Sequence, residues 1–186
     1  CDEGRYGWHH LHDATRVLAA GRRDAAAGRH GGPDRGWEPV EWADVVLRLR
    51  SDLKAAGRLA VAVSPFLTVE EAWMLCGIAR SIDPEAFLAL GMVPVAGADE
   101  TFPGGFTIRG EKCPNRRGVT EVLALFGAGN QSWPDLVAQV AAGRADAAWI
   151  TGGYPTPWID DATAAAFAGL RALVVQDLFD SPLTAH

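Results

Sequence analysis

From Leu59 to Glu71 the chain reads Leu59-Ala60-Val61-Ala62-Val63-Ser64-Pro65-Phe66-Leu67-Thr68-Val69-Glu70-Glu71. Its first five residues form a short, nearly uniform apolar run of the kind found in parallel strands covered on both faces, and Ser64-Pro65 closes it. Thr68, with Glu71 three residues later, carries a capping-box signature, so a helix follows at once, with Ala72, Leu75, Cys76 and Ala79 on one face. Ahead of the strand, Ala43, Val46, Leu47, Arg50 and Leu53 mark one side of another helix. Gly57 stands where a left-handed cap would end it.

The same alternation continues downstream. Ala86-Phe87-Leu88-Ala89-Leu90, Ala147-Ala148-Trp149-Ile150 and Ala172-Leu173-Val174-Val175 read as further strands. Helices are expected from Gly118 to Phe126, from Ser132 to Ala142, and near Asp161 to Ala168. Strands alternating with helices predict an α/β, Rossmann-like, doubly wound and mostly parallel sheet of about four strands with helices on both faces. Residues 91 to 117 do not follow that rhythm. Ligands in such sheets gather at the carboxyl ends of strands, which directs attention to the loops after Val63, Leu90, Ile150 and Val175.

Composition sets outer bounds. The chain has 186 residues, of which 48% are hydrophobic, enough for one sizeable core. Its 17 basic and 23 acidic side chains disfavour nucleic acid as a partner. No apolar run approaches the roughly 20 residues needed to cross a bilayer, so direct membrane insertion is not expected. Cys1, Cys76 and Cys113 form neither a close-spaced zinc pair nor an even disulfide framework, which fits a reducing compartment. Residues 1–37 hold four of the five histidines and no sustained apolar period, and read as an exposed or mobile lead-in to a lobe spanning residues 38–186.

Several stretches could carry chemistry. The loop from Arg109 to Gly118 holds Arg109, Lys112, Arg116 and Arg117 with Glu111 as its one acid, just ahead of an expected helix start. Such a place suits an anion, and its positive charge would favour the thiolate of Cys113. A solvated loop with an inert cysteine is the plainer alternative. Gly152-Gly153-Tyr154-Pro155 follows a strand and could let backbone approach a ligand, whereas Gly127-Ala128-Gly129-Asn130 follows a helix and reads as a turn. His9-His10-x-His12 has chelating residue types in a segment with no expected scaffold to fix them. Cys76 falls on an apolar helix face, as a core residue would. The seven tryptophans are scattered, which suits packing and interfaces. No nucleophile elbow, phosphate loop or catalytic carboxylate pair is legible.

Three stretches together resemble the large iron-sulfur subunits of bacterial NADH:quinone oxidoreductase (complex I), members of the molybdopterin oxidoreductase superfamily. They are Cys1-Asp2-Glu3-Gly4-Arg5-Tyr6-Gly7-Trp8, Glu111-Lys112-Cys113-Pro114-Asn115-Arg116-Arg117-Gly118-Val119, and Leu173 to Phe179 with Ser181-Pro182-Leu183-Thr184-Ala185. The resemblance implies that Cys1 is the last ligand of a 4Fe-4S cluster in a longer protein. The lead-in would then follow a missing iron-sulfur module, and the lobe would be incomplete at its C-terminus. A 4Fe-4S cluster is held by four thiolates, so no cofactor is expected in these 186 residues alone.

The same resemblance implies other subunits of the respiratory complex as partners, and a cytoplasmic place peripheral to the inner membrane. Apolar patches left uncovered would favour self-association. An alternative is a molybdopterin-binding lobe of a formate-dehydrogenase-like enzyme, with Cys113 near the metal and Arg116, Arg117, Gly152 and Gly153 around the pterin. Against it, those relatives carry Gly-x-Asn-Pro-Ala and Asp-Pro-Arg where this chain has Gly152-Gly153-Tyr154-Pro155 and Gln176-Asp177-Leu178. A third expectation is a cofactor-free module that docks other subunits. No residue is expected to be catalytic.

Overall fold

The computed structural model describes residues 7–23 and 37–185. After a short 3-10 turn at Gly7–His12 come β1 (Gly21–Arg23) and β2 (Trp37–Pro39), then α1 (Trp42–Ala56), β3 (Leu59–Val63), α2 (Val69–Ile82) and β4 (Phe87–Leu90). A small ribbon of β5 (Glu100–Thr101) and β6 (Thr107–Ile108) leads to α3 (Arg116–Leu125) and α4 (Trp133–Ala141). The chain continues through β7 (Ala147–Thr151), α5 (Asp161–Ala165) and β8 (Ala172–Gln176), and a 3-10 turn follows at Pro182–Ala185.

Four strands form a parallel sheet in the order β4-β3-β7-β8. The chain moves outward from β3 to β4, then returns past β3 to β7 and on to β8, so its direction reverses between β3 and β7. Period-2 alternation sends successive residues of β3 to opposite faces. Leu59, Val61 and Val63 pack under α1, α2 and α3 with Leu53, Leu75 and Leu123. Ala60 and Ala62 pack under α4 and the α5 region with Leu136, Val140 and Phe167. All five residues of β3 and all five of β7 are buried, the burial that their uniform apolar runs require. This is the Rossmann-like α/β architecture expected from the sequence.

Local signals hold in most places. Thr68 and Glu71 form both halves of a capping box. Ser132 caps α4, and Asp135 completes its box. Gly57 differs from expectation: at φ 122 and ψ −131 it ends α1 without entering the left-handed helical region. It lies against Asp146, whose carboxylate accepts from the Arg58 backbone N–H at 3.0 Å and from Arg58 Nε at 2.7 Å. That bridge joins the entry of β3 to the entry of β7. The helix expected to reach Ala168 gives way to turns after Ala165, where Phe167 turns into the core.

The stretch outside the expected rhythm is an antiparallel excursion. Val95 bridges Glu111, and β5 pairs with β6. Most described side chains of residues 7–23 are exposed, yet their backbone is tied to the end of β8. Val17 N donates to Leu178 O at 2.8 Å, and Asp180 N donates to Thr15 O at 2.8 Å. Cys1 lies outside the described residues. Among those residues no helix is long and apolar enough to cross a membrane.

Candidate functional site

The carboxyl edge of the sheet, where β3 and β7 diverge, is the place at which a doubly wound fold offers its crevice. Tyr154 occupies it. The loop after β7 turns sharply at Gly153 (φ 93) and drives the Tyr154 ring inward until the residue is 1% exposed. Its hydroxyl donates to Met92 O, after β4, at 2.6 Å. The ring meets Phe66, after β3, edge to face at 4.9 Å, and stacks on Trp158 at 4.6 Å. Burial above all pushes the tyrosine pKa up, the Ser64 hydroxyl opposes it and the Asp177 carboxylate adds to it, so the phenol remains a protonated donor.

Asp177, directly after β8, closes the edge from the other side. Its Oδ1 accepts from Gly153 N at 2.8 Å and Leu178 N at 2.7 Å, and its Oδ2 accepts from Trp158 Nε1 at 2.8 Å. Gly152 lies beneath that carboxylate so closely that a Cβ there would overlap it. Gly91 is confined in the same way: an added Cβ would stand 3.0 Å from Ser64 Cα and 3.2 Å from the Tyr154 hydroxyl. Below them, Thr151 Oγ1 donates to Ala62 O at 2.7 Å and accepts from Ser64 N at 2.9 Å, tying β3 to β7. The loops after all four strands therefore meet through Tyr154, Trp158 and Asp177.

The basic loop is organised by its own acids. Arg109 pairs with Asp99 at 2.8 Å, Arg116 with Glu111 at 2.8 Å and Arg117 with Glu121 at 2.9 Å, while Lys112 Nζ donates to Arg109 O at 2.6 Å. Arg116 and Arg117 are exposed at the first two positions of α3. Asn115, just before them, donates through Nδ2 to Leu67 O at 2.8 Å and through its backbone N–H to Pro65 O at 3.0 Å, stitching the loop to the segment after β3. Cys113 is half-buried. Burial first, and Glu111 after it, push its thiol pKa up against the pull of the Arg116 N–H and guanidinium. Of the two expectations for Cys113, a raised thiol pKa favours the inert cysteine over the thiolate, because desolvation outweighs the neighbouring cation.

No family model, no curated protein and no solved structure matches this chain.

Of the residues expected around a pterin, the structure brings Gly152 and Gly153 under Asp177, half-buries Cys113, and turns Arg116 and Arg117 toward separate acids. They do not fit such a group as arranged. The Gly153 N–H is already used by a carboxylate of the chain, and the crevice holds a ring. Among the described residues no cluster of three or more His, Cys, Asp or Glu side chains is arranged to hold a metal ion. His10 Nδ1 contacts Gly7 O at 2.6 Å, and His12 lies edge to face with Trp8. Cys76 is fully buried, and its thiol is pushed up to about 11 by burial.

Sequence reasoning named Tyr154 only as part of a glycine turn and passed over Asp177 and Trp158 as partners. It also missed a cavity of about 140 Å³ between the lead-in and the loops after β7 and β8, lined in part by Asp13, Thr15, Trp158 and Phe179. No local signal marks these residues. Asp177 meets Gly153 only because β7 and β8 pair in parallel with Thr151 opposite Gln176.

Proposed function

We propose that this chain is a structural lobe of the molybdopterin-oxidoreductase type within an electron-transfer subunit of NADH:quinone oxidoreductase, with no catalysis of its own. One observation carries the cofactor-free part of the reading: the crevice at the β3–β7 divergence is filled by Tyr154 and clasped by Asp177. A fold that hosts many functions is assigned through its site, and here the side chains are spent on joining loops. The family assignment rests on the three stretches of resemblance around Cys1, Cys113 and Leu173 to Ala185. On this reading Cys1 is a 4Fe-4S ligand of the full-length protein, the partners are other subunits of the respiratory complex, and the place is cytoplasmic at the inner membrane.

The test is elemental analysis and absorbance of the purified 186-residue chain, paired with NADH oxidation by the assembly recovered on the tagged protein in its native host. The expected chain is colourless, without stoichiometric iron or molybdenum, and the tagged assembly oxidises NADH with quinone as acceptor. One molybdenum per chain would replace this reading with the pterin-binding one. An assembly without NADH oxidation would remove the complex I assignment.

A further inference from the structure

The cavity between the lead-in and the loops after β7 and β8 has a one-sided chemistry. The lead-in lines it with Asp13 and Thr15, and is held there by the Arg16–Phe179 bridge and the backbone bonds of Val17 and Asp180. The loops line it with Trp158, Phe179 and Pro157. Asp177 and Asp180 add two more carboxylates, and among its described lining residues there is no Lys, Arg or His. Like charges around one cavity with no cation among them favour the entry of positive charge.

Acceptor capacity is left over in those carboxylates. An ionised carboxylate offers about four acceptor sites. Asp13 uses its Oδ1 alone, which takes Thr15 Oγ1 at 2.6 Å and Thr15 N at 2.8 Å. The hydroxyl bond first, and the backbone bond after it, hold the Asp13 carboxyl below the usual range, so it is ionised near neutrality. Its Oδ2 keeps both acceptor sites. Asp177 takes Gly153 N, Leu178 N and Trp158 Nε1, which leaves room for another donor on Oδ2. All of these donors are neutral. Ser181 lines the same cavity, and its Oγ is buried without a hydrogen-bond partner. A buried hydroxyl ordinarily has one, and a ligand N–H would supply it.

Size and wall chemistry select the kind of cation. A hard metal ion demands about six or more oxygens around one point, and among the described residues no three acidic, His or Cys side chains are arranged to hold one. The volume of about 140 Å³ is close to that of a cavity able to admit benzene, which suits a group of about six heavy atoms. Aromatic and proline carbon in the walls favours an apolar stem behind the charge. We propose that this cavity binds a short alkylammonium, its N–H donors meeting Asp13 Oδ2 and Ser181 Oγ and its stem lying against Trp158 and Phe179. A free amine and a lysine side chain of another protein both present that group.

Calorimetric titration of the 186-residue chain with butylamine, 1-butanol and butyrate at near-physiological salt tests this, with the Trp158 indole N–H resonance as a local reporter. Butylammonium is expected to bind with a dissociation constant on the order of 1 mM and to shift that resonance. The alcohol and the carboxylate, of the same length, should bind at least ~10-fold more weakly. Asp13→Asn keeps an Oδ1 acceptor for Thr15, so the lead-in stays in place, as circular dichroism and the unliganded spectrum will verify; it should weaken butylammonium at least ~5-fold. Glu121→Gln, at an exposed carboxylate on α3, should leave binding unchanged. Comparison of 1,4-diaminobutane with N-acetyl-lysine methylamide identifies the source by the tighter of the two. No shift of the Trp158 resonance with butylamine at about 50 mM, equal binding of 1-butanol, or unchanged affinity in Asp13→Asn would overturn the proposal.

Discussion

The basic loop at residues 109–118 and the Gly152-Gly153 turn both read in sequence as places for an anion, and both hold carboxylates of the chain itself. They do so in different ways. In the loop each arginine meets its own acid near the surface, with Arg117 and Glu121 exposed at 92% and 65% of their side chains. Exposed pairs of this kind are screened by salt and contribute little. At the turn one half-buried carboxylate takes three hydrogen bonds from three donors and lies over a position where only glycine fits. The lesson is that the same residue types make an exchangeable surface in one place and a fixed closure in the other, and desolvation separates the two.

Substitutions can break that contrast. Tyr154→Ala should have the largest effect, a loss of about 3–5 kcal/mol in denaturant unfolding, because a buried ring between four loops is removed. Tyr154→Phe, which strands Met92 O, should cost only about 1–2 kcal/mol. Next comes Gly152→Ala, at about 2–4 kcal/mol, since its Cβ would overlap Asp177. Combining it with Asp177→Ala should cost clearly less than the sum of the two single changes, and a double-mutant cycle reads that coupling. Strict additivity would show that the clasp is not the source of the strain.

Another carboxylate, at the opposite end of the sheet, sharpens the comparison through pH. Hydrogen bonds from the Arg58 side chain and backbone lower the Asp146 pKa from 3.8 to about 2. A depressed folded-state value means the contribution is complete above the unfolded pKa, and is lost as pH falls from about 4 toward 2. Asp146→Asn should therefore lower the melting temperature near neutrality and flatten its dependence on pH in that window. An unchanged acid limb would remove the bridge from the account. The smallest effect belongs to the basic loop. Arg117→Ala should change stability by less than about 0.5 kcal/mol, and the change should fade in high salt.

The sheet was legible because its signals are local. Uniform apolar runs at Leu59 to Val63 and Ala147 to Ile150, the Thr68–Glu71 capping box and the Ser132 cap each depend on neighbours within a few residues, and each stands close to where it was expected. The Gly57 cap was misread because Asp146, remote in sequence, decides its backbone. Cys113 was left between two readings for a related reason: the adjacent arginines are visible in sequence, whereas the burial that outweighs them is not.

By itself, then, the sequence determined the alternation of strand and helix, the presence of two covered sheet faces, and the candidate stretches around Cys113 and Gly152. Only tertiary structure decided what those stretches do. Strand order and register bring Asp177 over Gly152 and Tyr154 under Met92, and tertiary packing leaves Trp42 and Val46 of α1 exposed. Periodicity is written into neighbouring residues, but desolvation and hydrogen-bond partnership across 24 to 89 positions arise only when the chain closes on itself.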